Sequence, residues 1–453
     1  MKTKLLFLST ILFSFSISAQ IDFEAHIIVD SHPDISGPYR LIAADVDGDN
    51  DLDLFATSTN GDKVVWFKNT DGLGSFTEPI IIDSTMDYPM DLAIADIDND
   101  GDLDLIAISN NDHKIGWFEN LDGLGNFSAL RLAGNFEYVQ TVAAKDMDGD
   151  GDIDIIAGGN YKISWLENID GLGTFGPEKI ISEMAYTESI KVDDIDGDGD
   201  MDVIMGDWTR DMVAWYENLD GQGNFGPEKV IASDAIGTNT VAVKDMDNDG
   251  DLDVISVAWY NYVGWYENLD GSGIFGTPHI ISNTPDFVYK IEVADFNGDG
   301  LNDVMGSKFD NGEIVLWRNQ GNGNFAQTQV LYTNSGNPIG VTAADFNGDS
   351  KMDAAAGIYV SNQIVWFENI GSLSIEENKP NYFKLFPNPT NGLLNIKSAT
   401  PISEITIYNN LGQLLFTSEE KNQVDVSALS EGIYFVKISN ENGQTETKKV
   451  VKI

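Results

Sequence analysis

The stretch that decides the fold is Ala43–Ala56, AADVDGDNDLDLFA. Five aspartates fall on alternate positions within nine of its residues: Asp45, Asp47, Asp49, Asp51 and Asp53. Carboxylates packed so closely repel one another, so something must offset their charge. Nearly the same string returns six more times. Its first aspartate is residue 45, 96, 146, 194, 245, 295 or 345, at spacings of 51, 50, 48, 51, 50 and 50. A fixed period near fifty residues marks a repeat architecture.

Each unit reads alike. A short β-branched run leads into the aspartate loop, and an apolar run such as LDLIAIS follows. After a polar turn comes an aromatic run such as VAWYEN, then a glycine turn such as LDGLGN, then a last run such as FGPEKIIS. Short β-branched and aromatic runs bounded by Gly, Asn and Asp read as strands. Asp-Gly turns suit hairpins. Four antiparallel strands per unit at this period predict propeller blades. The fourth run begins at Phe23, Phe76, Phe127, Phe175, Phe225, Phe275 and Phe325, so its first copy precedes the first aspartate loop. Nothing equivalent follows the last WFEN at 366–369. The N-terminal strand is therefore expected to complete the seventh blade, closing a ring that an open solenoid would leave with two bare edges. A tryptophan recurs as Trp66, Trp117, Trp165, Trp215, Trp265 and Trp366, with Leu316 in its place in the sixth unit and Trp317 after it. Large aromatics at one position of every blade are expected to pack between blades.

The loop itself is D-x-[DN]-x-D-x-x-x-D. Its first place holds Asp45, Asp96, Asp146, Asp194, Asp245, Asp295 and Asp345. Its third holds Asp47, Asp98, Asp148, Asp196, Asp247, Asn297 and Asn347, and its fifth Asp49, Asp100, Asp150, Asp198, Asp249, Asp299 and Asp349. Its ninth holds Asp53, Asp104, Asp154, Asp202, Asp253, Asp303 and Asp353. These four places can aim oxygens at one point. The seventh residue (Asp51, Asp102, Asp152, Asp200, Asp251, Leu301 or Lys351) can add its backbone carbonyl. Six to eight hard oxygens at roughly 2.3–2.6 Å are what Ca²⁺ takes, whereas Mg²⁺ demands a tighter octahedron. Zn²⁺ prefers nitrogen and sulfur. The expectation is up to seven Ca²⁺ ions, weaker in loops 1 and 7, where Asn50 and Ser350 replace glycine at the sixth place. An EF-hand needs Glu at position 12 and flanking helices; here an apolar strand follows position 9.

The strings DVDGDNDLD, DIDNDGDLD and DFNGDGLND, with turns such as NLDGLGNF and NQGNGNF, resemble the FG-GAP or VCBS-type repeat family over residues 21 to 370. That resemblance implies a calcium-binding β-propeller like the headpiece of integrin α chains, and its calcium ligands carry over onto the loop positions named above. Family members mostly bind proteins or glycans, and some relatives are polysaccharide lyases.

The chain ends read differently. Lys2 and Lys4 precede LLFLSTILFSFSI and SAQ, the pattern of a secretory signal cut after Ala19. The run is short and serine-rich for a membrane anchor. The expected domains are a signal peptide at 1–19, a seven-bladed propeller at 20–370, a linker at 371–381 and a small β-sandwich at 382–453. The last part carries 7 Lys against 7 Asp or Glu, so nearly all of the net charge of −47 lies in the propeller. Its strings LFPNPTNGLLNI, ITIYNNLGQLL, VDVSALSEGIYFVKI and KKVVKI resemble the C-terminal sorting domain of the type IX secretion system. That implies contact with the secretion machinery and export to the surface or surroundings of a Bacteroidetes-type bacterium.

The charge of −47 argues against nucleic acid and anionic membrane as partners. No cysteine is present, which excludes disulfides and thiolate chemistry. His26, His32, His113 and His279 have no partners at zinc spacing, and no G-x-S-x-G string occurs. The leading reading is a binding protein for a glycan or protein; the alternative is a polysaccharide lyase or glycosidase on a propeller scaffold. Six residues beyond each ninth aspartate stand Thr59, Asn110, Asn160, Trp208, Trp259, Phe309 and Tyr359. Eight before each loop stand Gly37, Tyr88, Tyr138, Tyr186, Gly237, Phe287 and Asn337. Both sets belong near the face opposite the aspartate loops. Trp208, Arg210, Trp259, Tyr260, Phe309 and Tyr359 form a candidate ligand arc, with Tyr262 close by; local packing over the hairpins is the competing reading.

Overall fold

A computed structural model describes residues 20–283, 287–372, 383–398, 400–409, 413–418, 421–430, 432–440 and 445–452. The expected signal segment 1–19 and most of the expected linker lie outside them. Residues Gln20–Ser372 form one compact unit. Among the described residues it contains seven four-stranded antiparallel sheets. Blade 1 runs Pro38–Ala44, Asp53–Ser58, Lys63–Phe67 and Ile80–Asp83, from the innermost strand outward. Five further blades repeat this order along the chain.

Blade 7 is built from both ends of the unit. Pro338–Ala344, Asp353–Ile358 and Gln363–Ser372 supply three strands. Ile21–Asp30 supplies the fourth, pairing antiparallel with Gln363–Ser372 from Ile21 opposite Ser372 to Asp30 opposite Gln363. Gly371 and Ser372, expected to open the linker, instead continue this strand.

The second strand of every blade is buried along its whole length, which is why it reads as an unbroken apolar run. The fourth strand starts later than its sequence suggests. Phe76 makes only an isolated bridge to Asn69, as its equivalents do, and regular pairing resumes at Ile80. Pro79, Pro177, Pro227 and Pro278 interrupt four of these six runs, and proline has no N–H for the ladder. In blade 7 the run has no proline and is continuous.

The tryptophans lie between blades. Trp117, Trp165, Trp215 and Trp265 are each 1% exposed. Trp66, Trp117, Trp165, Trp215 and Trp366 lie against Gly125, Gly173, Gly223, Gly273 and Gly74 of the next blade. A Cβ there would collide with the ring, and each glycine has φ between 70° and 81°, so glycine is required twice over. In blade 6 Trp317 turns toward Gly306 of its own sheet instead.

The C-terminal unit is a β-sandwich. One sheet holds Phe383–Phe386, Leu393–Ser398 and Gln423–Asp425; the other holds Leu414–Thr417, Ile402–Tyr408, Gly432–Asn440 and Thr445–Lys452. Phe383, Leu394, Ile405, Val436 and Ile438 fill the space between them.

The closure is testable. Deleting residues 21–30 bares the edge of Gln363–Ser372 and should lower the melting temperature of the propeller, and adding the same segment as a free peptide should restore it. An unchanged melting curve for the deletion would overturn the closure.

Candidate functional site: the aspartate loops and the aromatic face

The ninth aspartate of each loop is the first residue of the second strand and is at most 1% exposed. One oxygen accepts the backbone N–H of the asparagine ending the third strand, as in Asn168 to Asp154 at 2.8 Å. In blades 2 to 7 the other oxygen accepts the N–H of the second loop residue. Burial raises these carboxyls, to about 7 for Asp53, Asp154, Asp202, Asp253 and Asp303 and to about 6 for Asp104 and Asp353.

The same asparagines tie neighbouring blades together. The side-chain N–H of Asn69, Asn120, Asn168, Asn218, Asn268, Asn319 and Asn369 donates at 2.7–2.9 Å to the carbonyl of Phe346, Val46, Ile97, Met147, Ile195, Met246 and Phe296. Each acceptor is the second residue of the preceding blade's aspartate loop, so the loops are also the joints of the ring.

Within a loop the first aspartate accepts N–H groups from inside the turn, as Asp146 does from Gly149 at 2.8 Å and Gly151 at 3.0 Å. The fifth accepts the N–H of the seventh, as Asp150 does from Asp152 at 2.9 Å. The seventh side chain turns away and packs on the glycine turn of its own blade, Asp152 on Gly171 for example. The third place differs. One oxygen of Asp47, Asp98, Asp148, Asp196 and Asp247 is buried with no hydrogen-bond partner. Burial raises the carboxyls of Asp98, Asp148, Asp196 and Asp247. Oxygens of the first, third and ninth places lie within 4.8 Å of one another in blades 2, 3 and 4, and those of Asp45, Asp47 and Asp49 do so in blade 1. A buried carboxylate oxygen without a donor, converging with two more, fits a hard divalent cation.

The loops are not equivalent. Lys68 reaches into loop 1, contacting Asp47 and lying 3.1 Å from Asp49. Glutamate holds that position in blades 2 to 5 and in blade 7, and Arg318 holds it in blade 6. In loop 7 Lys351 pairs with Asp349. Blades 6, 7 and 1 are neighbours in the ring, so the basic residues gather on one arc. Sequence spacing missed Lys68, although it is the single lysine in the repeated W-[FLY]-E-N string. The displaced glutamates have another partner. Glu167 and Glu217 pair with Lys179 and Lys229, which lie over Trp165 and Trp215. His26 and His279 stack on Trp366 and Trp265 and face Glu368 and Glu267, so they belong to packing.

On the opposite face the two sets of hairpin positions meet. Thr59, Asn110, Trp208, Trp259, Phe309 and Tyr359 donate their backbone N–H to the carbonyls of Gly37, Tyr88, Tyr186, Gly237, Phe287 and Asn337 at 2.9–3.2 Å. The polar members are joints: Thr59 donates to the carbonyl of Pro89, and Asn110 to that of Val139, both in the next blade. They are therefore not inert reference positions for the aromatic ones. Trp208, Trp259, Tyr260, Phe287, Tyr289 and Phe309 form a continuous aromatic cluster, with neighbouring ring centroids 4.7–5.9 Å apart. Tyr39 extends it by bonding Tyr289 at 3.0 Å between hydroxyls and meeting Tyr359 at 6.5 Å between centroids. Tyr289 and Tyr39 lie on the innermost strands, and sequence reading passed over them because nothing in the period distinguishes an axial tyrosine from a core one.

Two expectations for this face are corrected. The guanidinium of Arg210 is held within its own blade by Asp207 at 2.6 Å and Glu228 at 2.8 and 3.1 Å, rather than standing beside the rings as an unpaired cation. Tyr262 is 8% exposed and bonds Tyr266 at 2.8 Å inside the sheet. Backbone strain marks the surface instead. Tyr88, Tyr138 and Phe287 hold φ of 61°, 53° and 46° at the position where Gly37 and Gly237 stand in other blades. Bulky residues with positive φ are costly.

An FG-GAP-like repeat matches six overlapping segments that together span residues 45–356. A secretion system C-terminal sorting domain matches residues 384–453. No curated protein matches significantly. Among solved structures, one is an Agrocybe aegerita protein that specifically recognises non-reducing terminal N-acetylglucosamine. It is 20% identical, with 75% of this chain and 87% of that one covered and a TM-score of 0.51. Another is BBS1N in complex with ARL6DN, 12% identical over 78% of this chain and 97% of that one, with a TM-score of 0.54. Both are likenesses of fold.

The joints give a prediction. Asn218→Ala removes the bond to Met147 and should cost about 1–3 kcal/mol of stability. Asn218→Asp should cost a similar amount, because a carboxylate cannot donate. Chemical denaturation measures both; wild-type stability in either variant would mean that packing alone holds the blades.

Proposed function

Since the chain belongs to the FG-GAP-like repeat family and carries a type IX sorting domain that sends it to the cell surface or extracellular space, we propose that it is a calcium-stabilised propeller binding a glycan or protein partner. The partner's seat is the aromatic cluster on the face away from the aspartate loops. The observation that carries this reading is the run of rings from Trp208 through Trp259, Tyr260 and Phe287 to Phe309, in which Tyr260 is 54% exposed. Aromatic rings gathered at a surface are what sugar rings and protein anchors pack on. Strain at Phe287 and Tyr88 supports it further, because a residue kept at positive φ where glycine would relax is retained for something besides the fold. The fold accommodates sugar recognition, as the Agrocybe aegerita protein illustrates.

Calcium has a separate role here. The unpartnered third-position oxygens and the raised ninth aspartates support a cation on the joint side of the ring. Loops 2 to 5, with five aspartates each and no lysine or arginine intruding, are the stronger sites; loop 1 is already partly neutralised by Lys68.

Melting the purified protein with EGTA and with excess calcium tests the metal. Each site saturated at 100–1,000 times its dissociation constant should add roughly 3–4 kcal/mol, so the midpoint should rise clearly with calcium. An unchanged midpoint would remove calcium from the reading.

Trp208→Ala and Trp259→Ala test the binding face. Each should weaken binding to a partner found in a glycan and protein screen by about 2 kcal/mol or more, with a smaller loss of stability. Variants that unfold early yet bind normally would assign the cluster to packing.

A further inference from the structure

The innermost strands enclose a cavity of about 280 Å³ on the axis, lined by residues of blades 1 to 6. Eight charged residues line it: Arg40, Asp91, Glu188, Lys191, Asp193, Lys244, Lys290 and Glu292. Four are cationic and four anionic. Only Arg40 and Asp91 pair directly, at 3.0 Å. Among the described residues the ammonium of Lys290 pairs with no carboxylate, and its one hydrogen bond is a long 3.5 Å contact to the backbone carbonyl of Glu188. Lys191, Glu188 and Glu292 make no ion pair or side-chain hydrogen bond among the described residues. Burial lowers Lys290 to about 8, lowers Lys191 and raises Glu188, although each keeps some exposed surface.

Opposite charges lining one small space without touching need something between them. A carboxylate ligand would meet Glu188 and Glu292. An ammonium ligand would meet Lys191 and Lys290. A hydroxyl suits both, because it donates to a carboxylate and accepts from an ammonium. At about 30 Å³ per water, the cavity has room for roughly nine waters, hence for one compact ring. Tyr39 and Tyr289 do not line the cavity but immediately precede Arg40 and Lys290, which do, and Tyr289 joins the aromatic cluster through Trp259 at 5.5 Å. Two polar atoms nearby are buried without partners, the amide oxygen of Asn239 and the indole N–H of Trp259.

We propose that the axial cavity seats one neutral, hydroxyl-rich ring, the terminal unit of a saccharide, held by Glu188, Lys191, Lys290 and Glu292. This deepens the glycan half of the function proposed above and rests on it. The ring's hydroxyls bridge the charges that the protein leaves apart, and following units lie over Tyr289 and Trp259.

Calorimetry with the full mature protein tests it, using methyl glycosides of neutral hexoses, their oligosaccharides, the matched hexuronic acids and the matched hexosamines. The expected result is binding of a neutral member, weakened roughly tenfold or more in Glu188→Gln and in Lys290→Met, with melting temperatures near that of the wild type. The near-isosteric Glu188→Gln guards against misfolding in the lysine variant. Preference for a uronic acid or a hexosamine overturns the proposal. So does a neutral saccharide that binds both axial variants normally but is lost in Trp259→Ala; that outcome leaves the aromatic-face reading intact. If no saccharide binds, the axial site falls; a protein partner lost in Trp208→Ala would still uphold the face, and failure there too would remove both.

Discussion

One buried asparagine per blade holds the ring together. At the end of the third strand its backbone N–H goes to the ninth aspartate of its own loop, and its amide N–H goes to the preceding blade. In blades 2 to 6 its amide oxygen accepts an N–H from the glycine turn that follows, as Asn218 does from Gly223 at 3.1 Å, and in blade 7 Asn369 accepts from Gly371 of its own strand. Aspartate could not donate, and glutamine would carry its amide beyond all three partners. A buried polar group stabilises only when its donors and acceptors are met, and here one residue type meets them in six of the seven blades, the amide oxygen of Asn69 in blade 1 having no partner. The aspartate loop, the tryptophan–glycine contact and the inter-blade register all converge on this residue. A cation in the loop would steady the same joint, because the carbonyl that accepts the asparagine lies one residue after the first aspartate.

Much of this was legible in the sequence. The period gave the blades, and the displaced FEAHIIVD run gave the closure, because a strand missing at one end and surplus at the other has one place to go. The tryptophans read correctly because a large aromatic recurring at one site has few roles. The asparagine did not. In sequence it looks like an ordinary turn residue beside Asp-Gly, and its partner lies about seventy residues away. Arg210 was misread for the same reason. Its neighbour Trp208 is visible in the string, but Glu228, which captures it, lies on the next strand run. The axial charges were hidden too: Glu188, Lys191 and Lys290 sit in strands that read as half-solvated, and only the closed ring turns their solvent side inward.

The ring is nearly seven-fold in backbone and far from it in charge. Lys68, Arg318 and Lys351 lie on blades 1, 6 and 7, where loops 6 and 7 also exchange an aspartate for Asn297 and Asn347. Loops 6 and 7 have fewer carboxylates, and Lys68 offsets part of the charge of loop 1, so the local repulsion is lower on that arc. Loops 2 to 5 keep five aspartates each, so the repulsion left for a cation to offset is greatest there.

The two faces have diverged for a physical reason. On the aspartate face each loop is tied to its neighbour, so a change in one blade disturbs two. On the opposite face Thr59 and Asn110 make comparable ties in blades 1 and 2, but Trp208, Trp259, Phe309 and Tyr359 occupy the same position in blades 4 to 7. A Trp or Phe ring there cannot make the Thr59 or Asn110 bond, whereas the hydroxyl of Tyr359 still reaches Asn60 of the next blade at 3.1 Å. The compensation is ring packing, Trp208 on Trp259 and Trp259 on Tyr289, which crosses from blade to blade as the lost hydrogen bonds would have. The rings supply cohesion while leaving Tyr260 open to solvent, and the positive φ of Phe287 falls within this same cluster. The aspartate-loop side repeats its inter-blade joint in all seven blades, and the other side, where the joints are not uniform, varies from blade to blade.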